Sequence, residues 1–166
     1  AVISALYAMY HGPEGVRRIA RRIHSLASIL ARGLTDGGLT LSHPHFFDTI
    51  TVQLDKKGQQ AVKNRADAAG INLRYGDGLV GISLDECATE TDVARLWQVL
   101  LGEEGAKLSV ATLDRELAED AHSRIPEALS RNTPYLEHPW FNSYHSETEM
   151  LRYLKRLENR DISLTH

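Results

Sequence analysis

The feature that most constrains this chain is the way its hydrophobic period switches between Gly12 and Gly102. Val16, Ile19, Ile23, Leu26 and Leu30 recur at three- and four-residue spacings, which places them on one helix face. Phe46, Asp48, Ile50, Val52 and Leu54 then alternate with Phe47, Thr49, Thr51 and Gln53, the two-residue period of a half-buried strand. Gly58 to Ala69 returns to a helical period with Val62, Ala66 and Ala69 facing inward. Gly70 stands where a helix end calls for left-handed backbone. Ile71, Leu73 and Tyr75 alternate with Asn72 and Arg74 as a second strand, Gly76-Asp77-Gly78 forms a turn, and Leu79 to Leu84 forms a third strand. Thr89 and Asp92 make a capping-box start, Val93, Leu96, Trp97 and Leu100 share a helix face, and Gly102 ends it. The order is helix, strand, helix, strand, strand, helix. Two or three helices on one face of a small, mainly antiparallel sheet bury all of these stripes at once. The fold class is therefore α/β in the α+β sense.

The flanks add a helix before this block and an arm after it. Ala1 to Tyr10 is apolar, too short to span a bilayer and without the basic lead of a signal peptide. It reads as the back half of a helix. His11-Gly12-Pro13-Glu14-Gly15 interrupts that helix, and Pro13 suits the first position of a new one because its missing N–H is not needed there. Leu108 to Ile125 reads as one helix or two short ones, with Leu113, Leu117 and Ala121 four apart. Pro126, Pro134 and Pro139, interleaved with Tyr135, Trp140 and Phe141, predict an irregular connector with docked rings. From Ser146 onward a helical arm begins. Ser146 and Glu149 form a capping box, and Met150, Leu151, Leu154 and Leu157 share a face. Ile162 to His166 reads as the opening of an extended segment. With the uncapped start, this leads us to expect an excerpt of a longer protein.

A net charge of −3 and a pI near 6.2 argue against nucleic-acid or membrane binding driven by bulk charge. Arg17, Arg18, Arg21, Arg22 and Arg32 decorate one helix without interleaved aromatics and read as a solvated face. The single cysteine, Cys87, excludes an internal disulfide, and Asp85 and Glu86 beside it disfavour a thiolate. His43 and His45, with Asp48 nearby, would share a strand face, but Pro44 disrupts pairing and no further ligands follow at a metal-binding spacing. Gly76 to Gly81 fits G-x-G-x-x-G, yet a strand rather than a helix follows, so no helix N-terminus is available for a pyrophosphate. Pattern alone assembles no catalytic set.

The wording of two segments goes further. Ala8-Met9-Tyr10-His11-Gly12-Pro13-Glu14-Gly15 with Arg18-Ile19-Ala20, and Phe141 to Tyr153 (FNSYHSETEMLRY) with Asp161 to His166, closely resemble the P-protein family of the glycine cleavage system. The likeness runs in order over essentially the whole chain. One departure is Trp140, where a smaller apolar residue is expected. The resemblance implies a large pyridoxal-phosphate (PLP) enzyme built from two halves of fold type I. Residues 1–105 would be the end of a large-domain helix and the small domain of the first half. Residues 106–137 would be a connector, and residues 138–166 the start of the second half.

It further implies decarboxylation of glycine on PLP, with transfer of the aminomethyl group to the lipoyl arm of the H-protein. A homodimer or two-half pseudo-dimer is implied too, in the bacterial cytoplasm or the mitochondrial matrix. The family's PLP lysine follows a histidine. Lys56, Lys57, Lys63, Lys107 and Lys155 do not, so neither PLP binding nor activity is expected of these residues alone. Thr165 and His166 would point toward the active site of the complete enzyme. The stripe Met150, Leu151, Leu154 and Leu157 would lack its packing partner and be exposed or lie on a neighbour. Two other readings stay open: the small domain of another fold-type-I aminotransferase or decarboxylase, and a non-catalytic module that docks a partner.

Overall fold

The computed structural model describes residues 1–119, 125–160, 162 and 164. Its helices and strands run α1 (Val2–Asp36), β1 (Thr40–Leu41), β2 (Thr49–Gln53), α2 (Lys56–Ala69), β3 (Arg74–Gly76), β4 (Leu79–Ser83), α3 (Glu90–Leu101), α4 (Val110–Glu119) and α5 (Glu147–Glu158). Two compact units divide the chain: Arg21–Ser130, and Ala1–Ala20 together with Arg131–His166.

In the first of these units the four strands form one antiparallel sheet in the order β1-β2-β4-β3. Ile50 lies opposite Ile82 and Val52 opposite Val80, so one face of the two central strands is wholly aliphatic. That face shares a single core with Leu26, Leu30 and Leu34 of α1, Val62 and Ala66 of α2, and Val93, Leu96, Trp97 and Leu100 of α3. The expected architecture of helices on a small antiparallel sheet is what forms.

Trp97 organises the helical side. Its ring is fully buried and its Nε1–H donates to the Leu30 carbonyl at 3.1 Å. The indole lies so close to Gly33 that a Cβ there would sit 2.4 Å from the ring. Arg65 closes the far end of α3. Its Nε and Nη2 donate to the Val99 and Leu100 carbonyls at 2.7 and 3.2 Å, two of the groups a helix end leaves without partners.

The caps follow the sequence closely. Thr89 and Asp92 make both bonds of a capping box, and Gly70 closes α2 at φ 67°. Asp55 caps the start of α2, so that helix begins at Lys56, two residues before the sequence expectation. Other differences have physical causes. β2 begins at Thr49 rather than Phe46, because the Phe47 carbonyl turns aside to accept from His24 Nδ1 at 2.9 Å. β1 has two residues, too few to show a period. Between Leu26 and Leu34, α1 is buried nearly all round, where a single face was expected. A 3-10 turn over Gly102–Lys107 precedes α4, which starts at Val110. Ala121 lies outside the described residues.

The second unit holds the start of α1, the connector and α5. α1 breaks at Gly12 (φ 65°, ψ 177°), and Pro13 opens the next stretch as expected. A 3-10 turn spans Pro139–Asn142, and Ser146 caps α5 by accepting from the Glu149 N–H at 3.3 Å. The Glu149 carboxylate is taken by the Ser146 hydroxyl at 3.0 Å, so this box is made differently from that of α3. Among the described residues of this unit, Met9 and Tyr153 are the large hydrophobics that are buried. Tyr153 packs with Tyr144 and Trp140, at centroid distances of 4.6 and 6.0 Å.

Candidate functional site

Glycine at position 12 and proline at position 13 together break α1 and strand backbone carbonyls that a continuous helix would satisfy. The arm supplies a donor for one of them, the Tyr10 carbonyl, and a further bond to the Pro13 carbonyl on the other side of the break. His145 Nδ1 donates to the Tyr10 carbonyl at 2.9 Å, across 135 sequence positions. A carbonyl only accepts, so this imidazole carries a proton on Nδ1. The Tyr135 hydroxyl donates to the Pro13 carbonyl at 2.7 Å. Arg17 and Arg131 each place a guanidinium over the Tyr135 ring, 5.5 and 5.6 Å from its centroid, a cation–π arrangement that holds the ring in place.

Gly12 has no room for a side chain. A Cβ would lie 2.7 Å from His145 Cε1 and 3.1 Å from the Phe141 carbonyl oxygen. Behind it, Asn142 Nδ2 donates to the Leu136 and His138 carbonyls at 3.0 and 3.2 Å. That fixes the loop in which Leu136 takes the left-handed φ of 53°. The break borders an open cleft of about 440 Å³, lined by Tyr10 to Gly15, Arg18, Asn142 and His145.

The cleft thus joins the two sequence segments that carry the family wording. It gathers His11, His145, Glu14 and Arg18, with Glu14 already paired to Arg17 at 2.8 Å. Among the described residues no lysine or cysteine lines it. Among the described residues no group of three His, Cys, Asp or Glu side chains is placed to hold a metal ion. The bonds of His145 and Tyr135 there fix backbone.

A PLP enzyme needs a lysine that can shed its proton, which calls for burial or a neighbouring cation. All five lysines of the chain are exposed. Lys63 is paired with Asp67 at 2.9 Å, Lys107 with Glu104 at 2.6 Å and Lys155 with Glu158 at 3.0 Å. The hydrogen bond and charge of Asp67 push Lys63 above its ordinary pKa, the opposite of what an imine-forming amine requires. Lys56 and Lys57 open α2 at the surface. The residues present do not fit the cofactor.

The remaining sequence candidates fall as follows. Thr165 and His166 lie outside the described residues. Cys87 is exposed, and its N–H donates to the Asp85 carboxylate at 2.9 Å. His43 and His45 are exposed. Gly76 to Gly81 lies on the β3–β4 hairpin, with Gly78 at φ 71° in its turn, so the dinucleotide pattern is indeed a strand pair. Tyr135 is docked, as its place among the connector's aromatic rings predicts, whereas no local pattern marks His145 as an anchor. The signal for it is that His145 sits inside the family wording, opposite Gly12, whose pairing with Pro13 marks a helix break.

A family model described as glycine cleavage system P-protein matches residues 1–100. "Glycine dehydrogenase (decarboxylating)" of Vibrio parahaemolyticus is 52% identical over 166 residues, covering 100% of this chain and 17% of that relative. A protein of the same name from Shewanella amazonensis is 50% identical over 167 residues, again 100% of this chain and 17% of the relative. "Glycine dehydrogenase (decarboxylating) 2" of Pseudomonas fluorescens is 55% identical over 166 residues, 99% of this chain and 17% of the relative. The chain spans about one sixth of the length of these relatives.

Proposed function

We propose that this chain, which belongs to the glycine cleavage system P-protein family, is part of a PLP-dependent glycine dehydrogenase (decarboxylating). The observation that carries the reading is the 52% identity that runs over all 166 residues of the chain. The complete polypeptide would decarboxylate glycine and pass the aminomethyl group to the lipoyl arm of the H-protein. It would work as a homodimer or two-half pseudo-dimer, in the cytoplasm of a bacterial host.

Within that enzyme, residues 1–105 end the large-domain helix and form the small domain of a first half. Residues 106–137 connect, and residues 138–166 begin the second half, with Thr165 and His166 leading toward its active site. PLP would be held by residues beyond these 166, because the five exposed lysines here offer no suitable amine. The work of this stretch is then positional: His145 and Tyr135 fasten the arm to the Gly12 break.

Two measurements test this. The full-length protein, supplied with PLP and lipoylated H-protein, should release labelled CO2 from carboxyl-labelled glycine. The 166-residue chain mixed with one equivalent of PLP and reduced with borohydride should show no lysine labelled stoichiometrically or in preference to the other four. A full-length protein inert toward glycine would sink the activity. A stoichiometric adduct on one particular lysine of the five would sink the assignment of PLP to residues outside.

A further inference from the structure

The two units of the chain differ sharply in how well they bury their apolar residues. The core cluster belongs to Arg21–Ser130. The other unit fully buries Met9 and Tyr153 and leaves Val2, Ile3, Trp140, Leu151, Leu154 and Leu157 exposed. On α5 the apolar arc is wide, running from Tyr153 through Leu157, Met150 and Leu154 to Leu151 at one hundred degrees per residue. Tyr153, at the edge of the arc, is the residue it buries. Leu157, Leu154 and Leu151 remain 38%, 37% and 57% exposed. A surface helix normally turns such a stripe into a core, and a contiguous exposed apolar patch marks an interaction site.

We propose that the Leu151–Leu154–Leu157 face of α5 is an intramolecular docking surface, covered by an apolar segment of the same polypeptide outside these 166 residues. The choice of occupant rests on the reading above, that the chain is part of a longer enzyme. Its full-length relatives are about six times as long as this stretch. A covering segment is therefore present at very high effective concentration in every molecule, and needs no second copy to meet it.

Hydrogen exchange on α5 tests this, using the full-length protein and the 166-residue chain side by side. In the full-length protein the amides of residues 150–158 should exchange at least tenfold more slowly than in the shorter chain, equally above and below the concentration at which any dimer dissociates. Leu154→Lys in the full-length protein should remove that protection, while Arg152→Lys, on the opposite face, keeps it. Equal exchange in the two proteins overturns the proposal. So does protection that grows with concentration, which makes a second copy the occupant. The readout needs no activity: a protected α5 in a protein inert toward glycine leaves the docking surface standing and removes the functional reading.

Discussion

Gly12 and Gly38 both hold positive φ, at 65° and 86°, but their surroundings differ. A Cβ at Gly38 meets nothing within 4 Å, whereas at Gly12 it meets the His145 ring and the Phe141 carbonyl. Alanine at Gly38 should cost about 1 kcal/mol, the backbone penalty alone. Alanine at Gly12 should cost about 2–3 kcal/mol, since the arm must also move. The tryptophans separate the readouts, because Trp140 lies in the unit with Gly12 and Trp97 in the unit with Gly38. Urea unfolding followed at each indole, with the other replaced by Phe, gives the two costs; similar values would show that the close approach at Gly12 is unimportant. The glycine's special backbone was legible, since Pro follows it between two apolar runs. The identity of its neighbour was not. A contact across 135 positions leaves no local period to read.

At the scale of single elements, α3 was the most legible because cap, stripe and stop agree along one continuous segment. Its cap is also sensitive to acid. Asp92 lies below its ordinary pKa because the Thr89 hydroxyl and backbone N–H both donate to its carboxylate. A group depressed in the folded state stabilises the fold above its unfolded pKa of about 4 and loses that contribution as pH falls. Stability measured from pH 6 down to pH 2.5 should therefore fall less steeply in Asp92→Asn than in the parent protein. Parallel curves would mean the carboxylate adds nothing to the cap. Thr89→Ala should cost about 1 kcal/mol at neutral pH. α1 was harder to read. Its 26–34 segment packs on several sides, and Ala27, Ala31 and Gly33 carry too little hydrophobicity to announce a second buried face. Gly33 is small because the Trp97 ring occupies the space beside it. β1 escaped because two residues cannot display an alternation, and it exists only as an edge partner of β2.

At the scale of the whole molecule, the sequence divides by texture at Gly102, but the compact units divide elsewhere, near Ala20 and Ser130. Texture records where local periods change, whereas compactness records which surfaces bury one another, and α1 contributes residues to both units. The core of Arg21–Ser130 contains the stripes of α2 and α3, the Ile23–Leu34 part of α1 and residues from all four strands, but not the stripe of α5. A stretch that already buries its own apolar residues should fold without the rest. Residues 21–130 expressed alone should unfold in urea in one cooperative step, with a slope of roughly 1–3 kcal/mol per molar. Followed by Trp97 fluorescence, the midpoint should match that of the longer chain carrying Trp140→Phe. A sloping, non-cooperative transition would show that this core needs the arm and the start of α1, and that the boundary belongs elsewhere. If the step is cooperative, this compact unit can be studied by itself, and Trp97→Phe becomes a clean probe of its centre. Loss of the Nε1–Leu30 hydrogen bond and of part of the ring should then lower stability by about 2–4 kcal/mol.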